Sequence, residues 1–347
     1  MICRGQPGFE TLLAGELAQQ GFAVREQGAG WVRLQDTTGG AAPDDLCFAH
    51  LSQVGPVEIT GNSVNQLAGA VLDHFLTSMR GERVGAAWPC VFDAAAGFEG
   101  LGRRVSAVEQ AFGELLRKRL GRVARLAEPN SAPTPGAQRG LFVFFVDFGR
   151  AFVSRVAVLG GQRRMADDPL APSRSYLKVE EAYGVLGREP AQGETVVDLG
   201  AAPGGWSYSA AKRGARVWAV DNGPLKGGAL QHPLIEHRRE DAFGFRPPEE
   251  PPVDWLFCDL VEDPQHVVRH LISPWLLNRW CRRFVVILKF GRADPLALLR
   301  SVKASDSPFV TTTTQLVVRH LYHNREEFTL VGEVACGDAA GECKSEV

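Results

Sequence analysis

No run of 18 or more apolar residues occurs anywhere in these 347 residues, so no segment reads as a helical membrane span. The first residues also lack the basic-then-apolar order of a secretion signal. Seven cysteines are present, at 3, 47, 90, 258, 281, 336 and 342, and none forms a C-x-x-C pair. They read as reduced thiols of a cytoplasmic chain, not as a disulfide frame or a zinc site. His266 and His270 lie four apart without a third ligand nearby in sequence, so no metal is expected. Internal repeats are absent. There is no Gly-Lys-Ser/Thr phosphate loop and no G-x-G-x-x-G turn, which argues against an NTPase and a nicotinamide dehydrogenase. The formal charge of −2 carries no overall nucleic-acid signature. Lysine is scarce, with seven in all. That scarcity gives weight to any lysine in a special place.

What is present centres on Asp198-Leu199-Gly200-Ala201-Ala202-Pro203-Gly204-Gly205-Trp206. An apolar strand, Thr195-Val196-Val197, leads into it, and a helix ending at Gly214 follows. A second strand, 215–220, then ends in Asp221. Acid, small-residue turn, helix and second acid form the layout of a nucleotide-type site at the carboxyl edge of a parallel sheet. Asp221 is placed to accept from both hydroxyls of a ribose. Pro203 removes a donor that a phosphate cradle would use. The string instead resembles the S-adenosylmethionine site of class I methyltransferases, above all those that methylate RNA ribose 2′-hydroxyls.

Four more residues follow the same theme. Lys178 sits on a helix predicted over 173–183. Asp259 ends the apolar strand Val253–Cys258, and Lys289 ends the apolar strand from Arg283. Glu327 opens a strand near the C-terminus, with Glu326 as the alternative. The order Lys178, Asp259, Lys289, Glu327 resembles the Lys-Asp-Lys-Glu tetrad of the FtsJ/RrmJ-type 2′-O-ribose methyltransferases. The chemistry accounts for the residue types. A ribose hydroxyl is a very weak acid, and its methylation by in-line displacement needs a base and close alignment. By this resemblance Lys289 is the base, Lys178 its partner, and Asp259 and Glu327 orienting acids.

Longer strings narrow the likeness, among them Ala171-Pro172-Ser173-Arg174-Ser175-Tyr176-Leu177-Lys178 and Leu321-Tyr322-His323-Asn324-Arg325-Glu326-Glu327. They resemble a bacterial family that modifies a 23S rRNA cytidine in the peptidyl-transferase region. That resemblance implies S-adenosylmethionine as cofactor, 23S rRNA as partner and an N-terminal RNA-binding THUMP domain. Carried over by position, Ser175, Asp198, Gly200, Ala202, Pro203, Gly204, Gly205, Trp206, Asp221, Asp241 and Asp259 form the cofactor site. Two departures stand out: Ala202 replaces a frequent Cys, and Phe290-Gly291 replaces Leu-Pro after the catalytic lysine. The rival readings are a 2′-O-methyltransferase of another RNA and a cofactor-binding assembly factor without activity.

The expected fold is α/β. A Rossmann-like methyltransferase domain over 166–335 follows an α+β ferredoxin-like part over 1–66 and a THUMP-like part over 67–165. A frayed tail covers 336–347. Residues 101–165 hold twelve basic side chains against four acidic ones, a stretch suited to phosphates. No coiled-coil heptad demands a partner, so a monomer is expected.

Overall fold

The computed structural model of the chain describes residues 1–35, 43–129, 134–247 and 252–335. They fall into two compact units, Met1–Arg163 and Arg164–Val347, each with its own sheet. The tail expected over 336–347 lies outside the described residues.

The first unit holds strands β1 (Ile2–Arg4), β2 (Val24–Gly28), β3 (Trp31–Leu34), β4 (Leu51–Val54), β5 (Val57–Thr60), β6 (Trp88–Ala94), β7 (Ala127–Glu128), β8 (Gly136–Phe145) and β9 (Arg150–Leu159). Their order is β2-β3-β1-β4-β9-β8-β6-β7, with β5 also on β9. Helices α1 (Glu10–Gln19), α2 (Val64–Ser78), α3 (Leu101–Arg119) and α4 (Gly121–Arg125) complete it. Helix α2 buries Leu67, Val71 and Phe75; α3 buries Val105, Val108, Phe112 and Leu116. These three- and four-residue spacings make one apolar face per helix, and both faces join one core with β8 and β9.

The boundary suggested near residue 66 falls in the first turn of α2. There Ser63 accepts from the Gln66 backbone N–H at 3.2 Å, and the Gln66 side chain accepts from the Asn62 N–H at 2.9 Å. This resembles a capping box and starts the helix firmly. Strands β4 and β5 precede it in sequence, yet both pair with β9. The sheet thus runs through the suggested split.

The second unit is a seven-stranded sheet. It comprises β10 (Thr195–Leu199), β11 (Arg216–Val220), β12 (Ile235–Arg238), β13 (Val253–Cys258), β14 (Cys281–Lys289), β15 (Thr313–Arg319) and β16 (Glu327–Val334). The spatial order is β12-β11-β10-β13-β14-β16-β15. The first five strands are parallel; β16 runs antiparallel between β14 and β15. Val196, Val197, Trp255, Phe257, Val285 and Ile287 are fully or almost fully buried, as strands covered on both faces require. Helices α5 (Tyr176–Leu186) and α6 (Gly205–Ala211) pack on this core through Val179, Ala182, Trp206 and Ala210. The helix predicted over 173–183 begins a turn later, because residues 173–175 form tight turns before it. His266 and His270 stack on each other, 4.6 Å between ring centroids.

Candidate active site

The carboxyl ends of β10, β13 and β14 meet the start of α5 and the turn before α6. At that point a cavity of about 280 Å³ opens. Ser175, Asp198, Gly200, Ala202, Pro203, Gly205, Trp206 and Asp259 line it together with Lys178 and Lys289. The glycine turn has a steric reason. Gly204 takes φ +104°, and a Cβ there would lie 2.5 Å from the Ala229 Cβ. Trp206 serves the core more than the opening. It is 3 % exposed, and its indole N–H donates to the Ser175 carbonyl at 2.9 Å, tying α6 to α5.

Three of the expected cofactor residues, Gly204, Asp221 and Asp241, do not line this cavity. Asp221 instead braces the turn: its Oδ2 accepts from the Ala202 N–H at 2.9 Å and its Oδ1 from the Gly223 N–H at 2.7 Å. Asp241 is exposed beyond β12, where its Oδ1 accepts from the Phe243 N–H at 3.1 Å. Ser173 is a lining residue that sequence reasoning passed over. Its Oγ is buried without a hydrogen-bond partner among the described residues. It lies two positions before Ser175 in a string already singled out, which was the available signal.

The four tetrad candidates come together. Lys289 and Glu327 are directly opposite in the β14–β16 ladder. Lys178 Nζ lies 2.6 Å from Glu327 Oε1 and 3.4 Å from Asp259 Oδ2. Lys289 Nζ lies 2.9 Å from Asp259 Oδ1 and 3.5 Å from the Asp259 carbonyl oxygen. The Oδ1 contact is an ion pair off the hydrogen-bonding direction, so that oxygen keeps an open lone pair. Ser175 Oγ donates to Asp259 Oδ2 at 2.9 Å. Between the two glutamates the structure is unambiguous: Glu327 is buried against Lys178, whereas Glu326 is exposed.

Electrostatics mark Asp198 as well. It is fully enclosed, and burial pushes its carboxyl up to about 7, against the pull of the Ser207 hydroxyl, which donates to Oδ2 at 2.6 Å. Two further acids, Asp259 and Asp221, push the same way.

Beyond Lys289 the chain takes its own course. Gly291 adopts φ +56°, a conformation closed to proline. The glycine that replaces the expected proline therefore reshapes this loop.

Comparison with known proteins agrees with this architecture. Residues 171–292 match the model of the FtsJ-like methyltransferase family. A protein of Laribacter hongkongensis, ribosomal RNA large subunit methyltransferase M, is 40% identical over 66% of this chain and 66% of its own length. The protein of that name from Halorhodospira halophila is 43% identical over 56% of this chain and 57% of its own length. Against these two, the matched region spans less than two thirds of the relative. The protein of the same name from Stenotrophomonas maltophilia is 32% identical over 95% of this chain and 96% of its own length. Through that nearly end-to-end match, the chain belongs to the ribosomal RNA large subunit methyltransferase M family.

Proposed function

We propose that this chain transfers a methyl group from S-adenosylmethionine to the ribose 2′-hydroxyl of a cytidine in the peptidyl-transferase region of 23S rRNA. The observation that carries this reading is the chain of contacts Glu327–Lys178–Asp259–Lys289 at the mouth of the glycine-turn cavity. The cavity suits the cofactor. Asp198 and Asp259 set negative charge beside a guest that carries a sulfonium. The unpartnered Ser173 Oγ offers it a hydrogen bond, and Gly200 and Pro203 bring backbone to the wall. Bound there, the cofactor supplies an electrophilic methyl for in-line displacement.

The rest is done by side chains of this protein. Lys289 Nζ, once it has lost its own proton, accepts the proton of the attacking hydroxyl as the ribose oxygen takes the methyl group. Asp259 orients that amine through Oδ1. Lys178, anchored on Glu327, holds the other Asp259 oxygen, so the carboxylate faces Lys289 in one orientation.

The Met1–Arg163 unit, which holds nearly all of the THUMP-like part expected over 67–165, captures the RNA. Arg117, Lys118, Arg119, Arg122 and Arg125 are exposed from the last turn of α3 through α4, without a carboxylate partner among the described residues. The protein acts as a monomer in the cytoplasm.

The test is labelled-methyl transfer to 23S rRNA from a strain lacking this gene, mapped by resistance of the methylated ribose to alkaline cleavage. One new 2′-O-methylcytidine with the wild-type chain, and none with Lys289→Ala, supports the reading. Transfer to a base, or a Lys289→Ala variant of full activity, overturns it.

A further inference from the structure

A second cavity, of about 810 Å³, adjoins the first: Lys289 and Val261 line both. Val261 is 84 % exposed and stands between them. On the proposed reading, one opening holds the cofactor and the other admits the nucleotide whose hydroxyl Lys289 serves.

The rim of the second cavity is chemically unusual for a phosphate grip. It carries both signs of charge, with Arg292 and Arg325 beside Glu262, Asp263 and Glu326. Two of these acids are already engaged. Asp263 caps the following helix by accepting from the His266 N–H at 2.9 Å, and Glu262 accepts from the Asp263 N–H at 3.3 Å. Glu326 has only its backbone engaged, its carbonyl accepting from the Phe290 N–H at 2.8 Å. The guanidiniums of Arg292 and Arg325 and the carboxylate of Glu326 thus have no side-chain partner among the described residues. A phosphate would be repelled by the carboxylate. A nucleobase edge asks for donors and acceptors together.

We infer that Glu326, with Arg325 and Arg292, reads the edge of the target base and selects cytosine over uracil. The matching is simple. Cytosine offers an exocyclic N–H to an acceptor, and N3 and O2 to donors. Glu326 supplies the acceptor and an arginine the donors. Adenine, with N6–H beside N1, satisfies the same pair. In the pose that puts the cytosine amino group on Glu326, uracil turns O4 toward the carboxylate, so an acceptor meets an acceptor. A site built to bond a particular group rejects the analogue that leaves it unpaired. This role is distinct from that of Glu327: the two acids are adjacent in sequence, yet one anchors Lys178 from within while the other faces solvent. The inference rests on the proposed ribose methylation, since it names the specificity of that same site.

The experiment compares kcat/KM on two forms of unmodified 23S rRNA, one natural and one with the target cytidine changed to uridine. Wild-type chain is expected to prefer cytidine by on the order of 10- to 100-fold, the discrimination usual for a two-point edge contact. Glu326→Gln, whose amide can present a donor to O4, is expected to bring the ratio within about threefold, on the scale of that same contact. Arg325→Gln is expected to raise KM for the cytidine RNA with little change in the cofactor Kd. A ratio that survives Glu326→Gln, with cofactor affinity intact, overturns the inference while leaving ribose methylation standing. Equal use of both RNAs by wild type does the same. No transfer to either RNA by wild type would sink the methyltransferase reading itself, and this inference with it.

Discussion

Helix α5 carries two charged clusters a half-turn apart, and they behave as opposites. Lys178 faces the cavity and shares Asp259 with Lys289. Glu180 faces the core. Its oxygens receive Arg213 Nη1 at 2.7 Å and Nη2 at 2.9 Å, with the Ser209 hydroxyl at 2.6 Å. Burial pushes the Glu180 carboxyl up, but Arg213 and Ser209 outweigh it and hold the group below the usual carboxylate range. Arg213 also lies over the Tyr183 ring. Both Glu180 oxygens are hydrogen-bonded to Arg213, so the cluster fastens the end of α6 to α5. The site cluster keeps an open oxygen on Asp259 and two amines on one carboxylate. Saturation makes the first a fastener; incomplete saturation leaves the second free to exchange protons.

The contrast is broken most sharply by removing one cation from each cluster. Lys289→Ala is expected to lower methyl transfer by about 10²- to 10⁴-fold, the range for a lost general base, with thermal stability nearly unchanged. Arg213→Ala should do the reverse. Glu180 would keep only the Ser209 hydroxyl and Lys212 Nζ at 3.6 Å, so the loss costs about 1–3 kcal/mol of stability, read by denaturant unfolding, while the fraction still folded keeps its turnover. A stable Arg213→Ala protein with poor transfer would mean the two clusters are one system.

Titration sharpens the comparison further. His320 is buried, and burial holds its imidazole down to about 4, partly opposed by the Arg325 carbonyl and Glu327. The folded chain therefore resists its protonation. Stability from this residue is complete above about 6.5 and is lost as pH falls toward 4, by about 3 kcal/mol. Asp198 has the opposite sign. Its folded carboxyl titrates near 7, above its unfolded value, so the native state binds the extra proton and stability falls as pH rises from about 4 to about 7. The two slopes oppose each other in wild type. His320→Gln should expose a curve that declines toward neutral pH, and Asp198→Asn one that climbs. Unfolding free energies at pH 4.5, 6 and 7.5, chosen across these windows, check both; parallel curves for the two variants would refute the assignment.

The smallest effect belongs to Gly291. An alanine at φ +56° costs about 1–2 kcal/mol of local strain, and nothing lies within 4 Å to clash with its Cβ. Gly291→Ala is expected to shift KM for RNA a few-fold with cofactor affinity unchanged, as titration of each ligand would report.

Much of the second unit could be read from the sequence, because its signals are local. Val-rich runs ending in Asp198, Asp221, Asp259 and Lys289 gave strands and their active ends together. The placing of Glu327 opposite Lys289 comes from the β14–β16 register, a long-range pairing that no local pattern encodes. The same holds for the bracing role of Asp221, whose partners only a folded turn supplies. The basic stretch of 101–165 misled in a specific way. Arg139 and Arg155 meet Glu82, and Arg150 meets Glu26 and Glu58, so carboxylates from outside the window cancel part of its charge. Pairing across the suggested division near residue 66 is equally invisible to local signals: β9 reaches back to strands made long before it.

The placing of β16 has a consequence for how the protein comes into being. Among the described residues it is the last strand in sequence, yet it slots between two that are made earlier. On the ribosome the glycine turn, Asp198 and Lys178 emerge first, then Asp259 and Lys289, and Glu327 only at the end. A nascent chain can thus assemble a cofactor cavity before it owns a complete tetrad. On the proposed reading, the order of synthesis places the cofactor cavity before the complete tetrad.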